Sequence, residues 1–166
     1  SPSETVSSVT LVNCDIIGNT AKVVASGEGG AGVGAFRRNH VLNCRIVSNA
    51  AVSCGGSVHG AALAPGSGTI VCDTLVADNT GGGYGVVTVG SYTTVSNCVI
   101  RNNSGGSCIY LKGGLLANCT VVSNASNMAF VQGGKMRNCL FAGNDSFIWA
   151  TLGSSFYENC TIVSNK

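Results

Sequence analysis

The chain has 166 residues, a formal net charge of +2, and only 10% charged side chains against 45% hydrophobic ones. Its nine lysines and arginines are scattered and form no basic stripe, which argues against a nucleic-acid partner. No run of 18 apolar residues occurs, so we expect no insertion into a membrane.

A seven-residue phrase of the form Asn-Cys-x-aliphatic-x-x-Asn recurs from one end of the chain to the other. The third copy reads DTLVADN, with Asp73 and Thr74 in place of Asn and Cys. The closing asparagines of the seven copies are Asn19, Asn49, Asn79, Asn103, Asn124, Asn144 and Asn165. They follow one another at steps of 30, 30, 24, 21, 20 and 21 residues, which indicates a repeat array.

Each phrase predicts a short β-strand, because apolar side chains alternate within it and Gly, Asn and Ser turn signals surround it. One apolar column lies eight residues before the closing asparagines, at Leu11, Val41, Val71, Val95, Leu116, Met136 and Tyr157. A second lies inside the phrase, at Ile16, Ile46, Val76, Ile100, Val121, Phe141 and Ile162. We interpret residues 1–166 as a single β-solenoid domain, with longer coils over 14–73 and short regular coils over 74–166.

Two repeat folds have strands at this spacing, the leucine-rich repeat and the parallel β-helix. A leucine-rich repeat needs a helical or Leu-rich return segment, whereas the segments here read GGYGVVTVGSYTT and SGGSCIYLKGGL. The sequence therefore predicts an all-β fold, a single-stranded right-handed parallel β-helix of about seven coils.

Stacked coils place equivalent residues about 4.8 Å apart, so each column of residues faces itself. We expect the closing asparagines to form an inward ladder that passes amide hydrogen bonds from coil to coil. A second inward ladder is predicted at Cys14, Cys44, Cys98, Cys119, Cys139 and Cys160. Because parallel side chains in one rotamer rarely reach disulfide geometry, we expect these thiols to be buried and inert; for Cys72 we make no prediction.

The sequence contains no metal-binding or dinucleotide motif and no recurring pair of carboxylates, so we expect no catalytic residue, no metal and no cofactor. The two longest coils hold about nine extra residues each, which we expect to bulge outward as loops. The best candidate for a loop site is the polar cluster Glu28, Arg37, Arg38, His40 and His59.

Aromatic residues offer a second candidate. Trp149, Tyr84 and Tyr110 fall five to seven residues after ladder asparagines, and Tyr92 lies elsewhere in its coil. Outward-pointing rings would form a strip that binds a surface glycan, whereas the register with Cys108 is typical of a core column. Both interpretations stay open at this point.

The two ends of the sequence suggest a further partner. Counting from Asn165 through Lys166 to Cys14 of a following copy gives 15 residues, against 16, 15 and 16 for the same step inside the short coils. The count predicts either a segment of a longer solenoid or a homo-oligomer that stacks head to tail through its terminal coils.

The array resembles the right-handed parallel β-helix repeats of large bacterial surface and secreted proteins. FAGN at 141–144 and GGAG at 29–32 are similar to the FxxN and GGA motifs in the passengers of chlamydial polymorphic outer-membrane proteins. The resemblance implies an extracellular or cell-surface location and a non-enzymatic role as a rigid stalk, an adhesin segment or a fibre subunit. Pectate-lyase-like enzymes share the fold and its Asn ladder, so a carbohydrate-binding or polysaccharide-degrading enzyme fragment is the alternative.

Overall fold

A computed structural model describes residues 8–23, 27–28, 31–34, 38–53, 58–81, 85–145, 148–150 and 154–166. Throughout these ranges the backbone forms short strands joined by tight corners. The described residues include no helix long and apolar enough to span a membrane.

Seven coils follow one another along the described chain, each a circuit of short strands. Coil 1 contains β1 (Thr10–Val12), β2 (Asp15–Ile17), β3 (Thr20–Val23) and β4 (Gly27–Glu28), and coil 2 contains β5 (His40–Leu42), β6 (Arg45–Val47), β7 (Ala50–Ser53) and β8 (Val58–Leu63). Coil 3 contains β9 (Ile70–Cys72), β10 (Leu75–Ala77), β11 (Thr80–Gly81) and β12 (Gly85–Val89), and coil 4 contains β13 (Thr94–Ser96), β14 (Val99–Arg101) and β15 (Ser104–Leu111). Coil 5 contains β16 (Leu115–Ala117), β17 (Thr120–Val122) and β18 (Ala125–Val131), and coil 6 contains β19 (Gly134–Arg137), β20 (Leu140–Ala142) and β21 (Ile148–Ala150). Coil 7 contains β22 (Ser155–Glu158) and β23 (Thr161–Val163).

Strands from successive coils pair in parallel and form three sheets. Sheet 1 takes the first strand of every coil, in the order β1-β5-β9-β13-β16-β19-β22. Sheet 2 takes the next strand, in the order β2-β6-β10-β14-β17-β20-β23. Because each coil stacks on the preceding one through parallel ladders, the predicted all-β parallel β-helix is confirmed.

The number of strands that a coil contributes to sheet 3 changes along the solenoid. In coils 1 to 3 this side is divided between two strands, such as β11 and β12, whereas coil 4 has the single long strand β15. β15 pairs with both β11 and β12, so the sheet runs β3-β7-β11-β15-β12-β8-β4, and β18 and β21 continue from β15. The coil length therefore varies on this side, while sheets 1 and 2 keep three- or four-residue strands throughout.

Much of the extra length of the two longest coils falls at 24–26, 29–30, 35–37 and 54–57, outside the described residues, so the outward loops stay a prediction there. β4 pairs with β8, and Ala61, Ala62 and Leu63 of β8 are fully buried. Val33 pairs with Leu63 and belongs to the main core cluster. The described part of these two coils is therefore wall and not loop, because a segment that pairs in parallel with the next coil becomes part of the sheet.

Both apolar columns predicted from the sequence are in register at every step. In sheet 1 the pairs run from Leu11 with Val41 to Met136 with Tyr157. In sheet 2 they run from Ile16 to Ile162. The members of both columns in coils 2 to 6 are buried in the core.

Each coil turns at corners where one residue has a positive φ. The first corner, between sheets 1 and 2, has φ of 50° to 55° at Asn13, Asn43, Asp73, Asn97, Asn118, Asn138 and Asn159. The second corner, between sheets 2 and 3, has φ of 51° to 70° at Gly18, Ser48, Asp78, Asn102, Ser123, Gly143 and Ser164. The third corner, between sheets 3 and 1, has φ of 56° to 82° at Arg38, Gly68, Tyr92, Gly113 and Gly133. Gly, Asn and Asp adopt this conformation at the lowest cost, which explains why the phrase repeats small or polar residues at the first two corners.

Candidate functional site

The closing asparagines form the predicted ladder without a break. Each Nδ2 donates to Oδ1 of the asparagine in the next coil, at 2.8–3.0 Å in all six steps from Asn19 to Asn165. The backbone N–H of each asparagine donates to the same Oδ1 at 2.9–3.0 Å. The other Nδ2 hydrogen donates to a carbonyl of the preceding coil, as from Asn79 to Ile46 at 2.9 Å. Each buried amide thus uses both donors and both acceptor positions, which removes the cost of burying it.

A thiol or hydroxyl donor occupies every position of the Cys ladder. The six thiols donate to the carbonyl oxygen two residues earlier, at Sγ–O distances of 3.1–3.4 Å. Thr74, which replaces cysteine in the third phrase, makes the same bond to the carbonyl of Cys72 at 2.9 Å. Cys44, Cys98, Cys119 and Cys139 are buried, and Cys14 and Cys160 in the end coils are partly exposed. The ladder is therefore a column of small donors rather than a set of disulfides, and the eight described cysteines are free.

Hydrogen bonds with Cys119 lower the pKa of Cys98 and lower that of Cys139 to about 7, whereas the pKa of two other thiols is raised. Hydrogen bonds with Cys139 and Cys98, together with burial, raise the thiol pKa of Cys119. Burial alone raises the pKa of Cys108, which is fully buried in β15. Because the thiolate is the reactive form of cysteine, Cys108 and Cys119 do not have the chemistry of a nucleophile, whereas the lowered pKa of Cys139 is contrary to the prediction that every ladder thiol is inert.

Cys72, for which we make no prediction above, lies outside the ladder. It pairs in register with Leu42 and Ser96 in sheet 1, and its Sγ lies 3.0 Å from the Ser96 Oγ. The side chain is partly exposed and belongs to the outer side of the sheet. Cys54 lies outside the described residues.

The polar cluster proposed from the sequence occupies two separate places in the backbone. Glu28 and His59 are register partners in sheet 3. Arg38 stands at the third corner, and His40 is exposed in sheet 1, paired with Thr10 and Ile70. Arg37 lies outside the described residues. In the described part of the chain, no three His, Cys, Asp or Glu side chains are grouped as a metal site requires.

The aromatic residues of sheet 3 share one column. Tyr110 pairs in register with Phe130, and Phe130 pairs with Trp149; Tyr84 lies outside the described residues. The Tyr110 ring is 6% exposed, and its hydroxyl lies 3.1 Å from Oε1 of Gln132, to which it donates. A ring covered to this extent has no open face on which a sugar can stack.

Tyr92, an aromatic candidate that the sequence analysis places elsewhere in its coil, lies at the third corner. Tyr92 has a φ of 59° and is 86% exposed, the highest exposure among the large apolar side chains described. It borders a groove of about 530 Å³ that continues past Gly113 and Leu115 to Lys135 and Ser154. The third-corner residues follow Arg38 at steps of 30, 24, 21 and 20 residues, which are also the steps between the closing asparagines from Asn49 to Asn144. Tyr92 therefore occupies the position at which the two neighbouring coils have Gly68 and Gly113.

Comparisons with known proteins do not place this chain in a family. No protein-family model and no curated protein matches the sequence. Among solved structures, the chain is similar to the crystal structure of a pentapeptide repeat protein (Rfr23) from the cyanobacterium Cyanothece 51142, at 12% identity and a TM-score of 0.24. The alignment covers 93% of this chain and 91% of that one. At that TM-score the fold assignment rests on strand pairing and the ladders.

Proposed function

We propose that the chain is a non-enzymatic structural β-solenoid that serves outside the cell, as a rigid stalk or adhesin segment or as a subunit of a fibre. The observation that carries this proposal is the unbroken Asn ladder, which joins all seven coils by amide hydrogen bonds. The closing asparagines, which recur in every phrase, therefore serve to hold the coils together.

The first and last coils of the described chain have exposed apolar side chains that would fit a head-to-tail contact. At coil 1 an apolar cavity of about 300 Å³ opens between Leu11, Ile16, Val33 and Val41. At coil 7 the side chain of Ile162, the last member of the sheet 2 column, is 50% exposed. A second copy stacked in register would place coil 7 of one chain against coil 1 of the next and bury both apolar surfaces.

The hydrogen-bonding groups of Asn165 and of Asn19 in a following copy would also be complementary at this junction. Inside the chain, the N–H groups of each asparagine donate toward the following coil, and one Nδ2 hydrogen donates back to the preceding one. Asn165 therefore offers its backbone N–H and one amide hydrogen, and Asn19 of a following copy offers Oδ1. The contact would repeat the three bonds made at every internal step.

Negative-stain microscopy with sedimentation over a concentration series tests the stacking part of the proposal. We expect filaments of uniform width with an axial repeat of about 34 Å, seven coils at about 4.8 Å each. Ile162→Glu should abolish them, because it places a charge in the apolar junction. Thr161→Glu, on the opposite side of the same strand, is the matched control and should leave them intact. A wild-type chain that stays monomeric at all concentrations contradicts the fibre role and leaves the stalk role.

The location outside the cell is tested on intact cells of the source organism. An antibody raised against the purified chain should label unbroken cells, and external protease should remove the label. Labelling only after permeabilisation contradicts an extracellular role. Four of the six ladder thiols are buried, which is compatible with that environment because buried thiols are protected from oxidants.

One observation favours an enzyme that acts on a polysaccharide as the second candidate. The backbone pairs Glu28 with His59, and His40 lies exposed in the neighbouring sheet. That function predicts turnover of a polysaccharide that is lost in Glu28→Gln and His59→Gln. Measurable turnover in the wild type, lost in these variants, contradicts the non-enzymatic proposal.

A further inference from the structure

We propose that the groove at the third corner binds an acidic polysaccharide, with Tyr92 as the stacking platform and Lys135 as a contact for the anionic groups. The groove is lined by Tyr92, Thr94, Gly113, Leu115, Lys135 and Ser154. This inference names a ligand for the surface role proposed above, but its test uses the isolated chain and does not depend on filament formation.

The backbone at Tyr92 gives the first reason. A bulky residue rarely adopts a positive φ, because its Cβ crowds the neighbouring carbonyl, and such outliers cluster at functional sites. Gly68, Gly113 and Gly133 show that glycine is sufficient for this corner. A tyrosine there gains nothing from burial, since its ring is almost wholly in solvent. The structure of the corner therefore does not require the ring, which leaves contact with a ligand as its role.

The backbone around the groove excludes a peptide that adds as a β-strand. Thr94 N–H donates to Thr69, Leu115 N–H donates to Thr93, and Lys135 N–H donates to Gly114, each at 2.9 Å. These bonds run from coil to coil, so the described strands of the groove leave no sheet edge open for strand addition. What remains available is an aromatic face, hydroxyl groups and an ammonium group.

These groups fit a sugar chain. A pyranose ring presents an apolar face of C–H groups, which packs on an aromatic ring, and a rim of hydroxyls, which hydrogen-bond to polar side chains. From Tyr92 the groove crosses three further coils to Ser154, a span of about 14 Å along the solenoid axis. A groove open at this length suits several consecutive sugar units of a chain rather than a single small molecule.

Charge selects an acidic chain over a neutral one. The described ion pairs join Asp15 to Arg45, Glu158 to Arg137 and Asp145 to Lys166. Lys135 in the groove, Lys112 beside Gly113, and Arg38 at the start of the same corner have no carboxylate partner among the described residues. Asp73 and Asp78, the remaining acidic side chains described, stand at the first and second corners. Three of the five described cations without a carboxylate partner therefore lie at or beside the third corner, the others being Lys22 and Arg101, and carboxylate groups on a sugar chain would complement them.

Calorimetry with oligomers of a polyuronate, and with a neutral glucan of equal length, tests the inference. We expect binding of the polyuronate that weakens with added salt, and at least tenfold weaker binding of the glucan. Tyr92→Gly should lower the affinity for the polyuronate about tenfold. Lys135→Gln should lower it severalfold and reduce its salt dependence.

Ser123→Gly is the matched control. It replaces another exposed residue of positive φ by glycine at the second corner, away from the groove, and should leave binding unchanged. Both glycine variants should keep or raise the thermal midpoint of unfolding, because glycine adopts the corner conformation without strain. Unchanged binding in Tyr92→Gly, a lowered midpoint in that variant, equal affinity for the glucan, or no binding of the polyuronate would each overturn the inference.

Discussion

Six of the seven phrases begin and end with asparagine, and these two asparagines lie in different environments. The first stands at an exposed corner with a positive φ, and its amide contacts neighbours along the outside, as Asn43 does with Asn13 at 2.7 Å. The second is buried in coils 2 to 6 and is fully hydrogen-bonded. Backbone geometry determines the choice of asparagine at the first position, and buried hydrogen bonding determines it at the second.

Replacing one asparagine of each kind should separate these roles. Asn103→Ala leaves the backbone N–H and the Nδ2–H of Asn79 without an acceptor in the core, so we expect a loss of about 3 kcal/mol in the free energy of unfolding. Asn118→Gly keeps the corner conformation and should change it by about 0.5 kcal/mol or less. Urea denaturation of both variants measures the difference. Equal losses would show that the ladder is not the main source of polar stabilisation.

The buried thiol of Cys108 makes stability depend on pH. Burial raises its pKa above the ordinary value of 9.0, so the folded chain keeps this proton while the unfolded chain releases it. The resulting stabilisation is complete below pH 9 and declines as the pH rises, by up to about 1.4 kcal/mol per pH unit. Unfolding free energies measured across this range should fall less steeply in Cys108→Ala. Val131→Ala, which truncates a buried neighbour in the same sheet, should lower stability without changing the slope; identical slopes in all three proteins contradict the prediction.

At the scale of the strands, sheets 1 and 2 could be predicted from the sequence, and sheet 3 could not. The phrase predicts the strand of sheet 2, and the apolar residue eight positions before the closing asparagine predicts the strand of sheet 1. Both are predictable because they lie at a constant distance in sequence from the closing asparagines. The strands of sheet 3 do not lie at a constant distance from the closing asparagines. Coil 1 has two strands on this side, β3 and β4, whereas coil 4 has the single strand β15. The pairing of Tyr110 with Phe130, and the glycine-equivalent place of Tyr92, therefore became visible only once the strand register was known.

The second corner lies at a fixed position in every phrase, one residue before the closing asparagine. Every second-corner residue is Gly, Ser, Asp or Asn, which is the composition expected where φ is positive. We expect Ser123→Val to lower the free energy of unfolding by about 1–2 kcal/mol, since a β-branched side chain is strained in this conformation. Thermal denaturation beside Ser123→Gly, which should show no loss, checks this. Equal midpoints for the two variants would mean that the corner tolerates any residue.

At the scale of the molecule, each coil contacts only its neighbours, so stability depends on position along the axis. Ile100→Ala removes a fully buried side chain from the middle of the array and should cost about 3 kcal/mol. Ile162→Ala, in a side chain half exposed at coil 7, should cost about 1 kcal/mol in dilute solution.

The destabilisation caused by Ile162→Ala should also depend on the protein concentration. If coil 7 is covered by a second copy, the cost of Ile162→Ala rises with concentration, because stacking buries the same side chain. Denaturation curves over a dilution series measure this. A cost that is constant across the series, or as large as that of Ile100→Ala when dilute, contradicts the expectation.

The Asn ladder has one more consequence, which concerns direction. All six amide-to-amide bonds point the same way along the axis, so the side-chain dipoles of the seven asparagines add instead of cancelling. Hydrogen bonds aligned in series polarise one another, by about 10–30% per bond. The inner amides are therefore bound more strongly than those at either end, and the two ends differ in electrical sign. A solenoid of this kind has a built-in head and tail, set by the orientation of a single side chain repeated seven times.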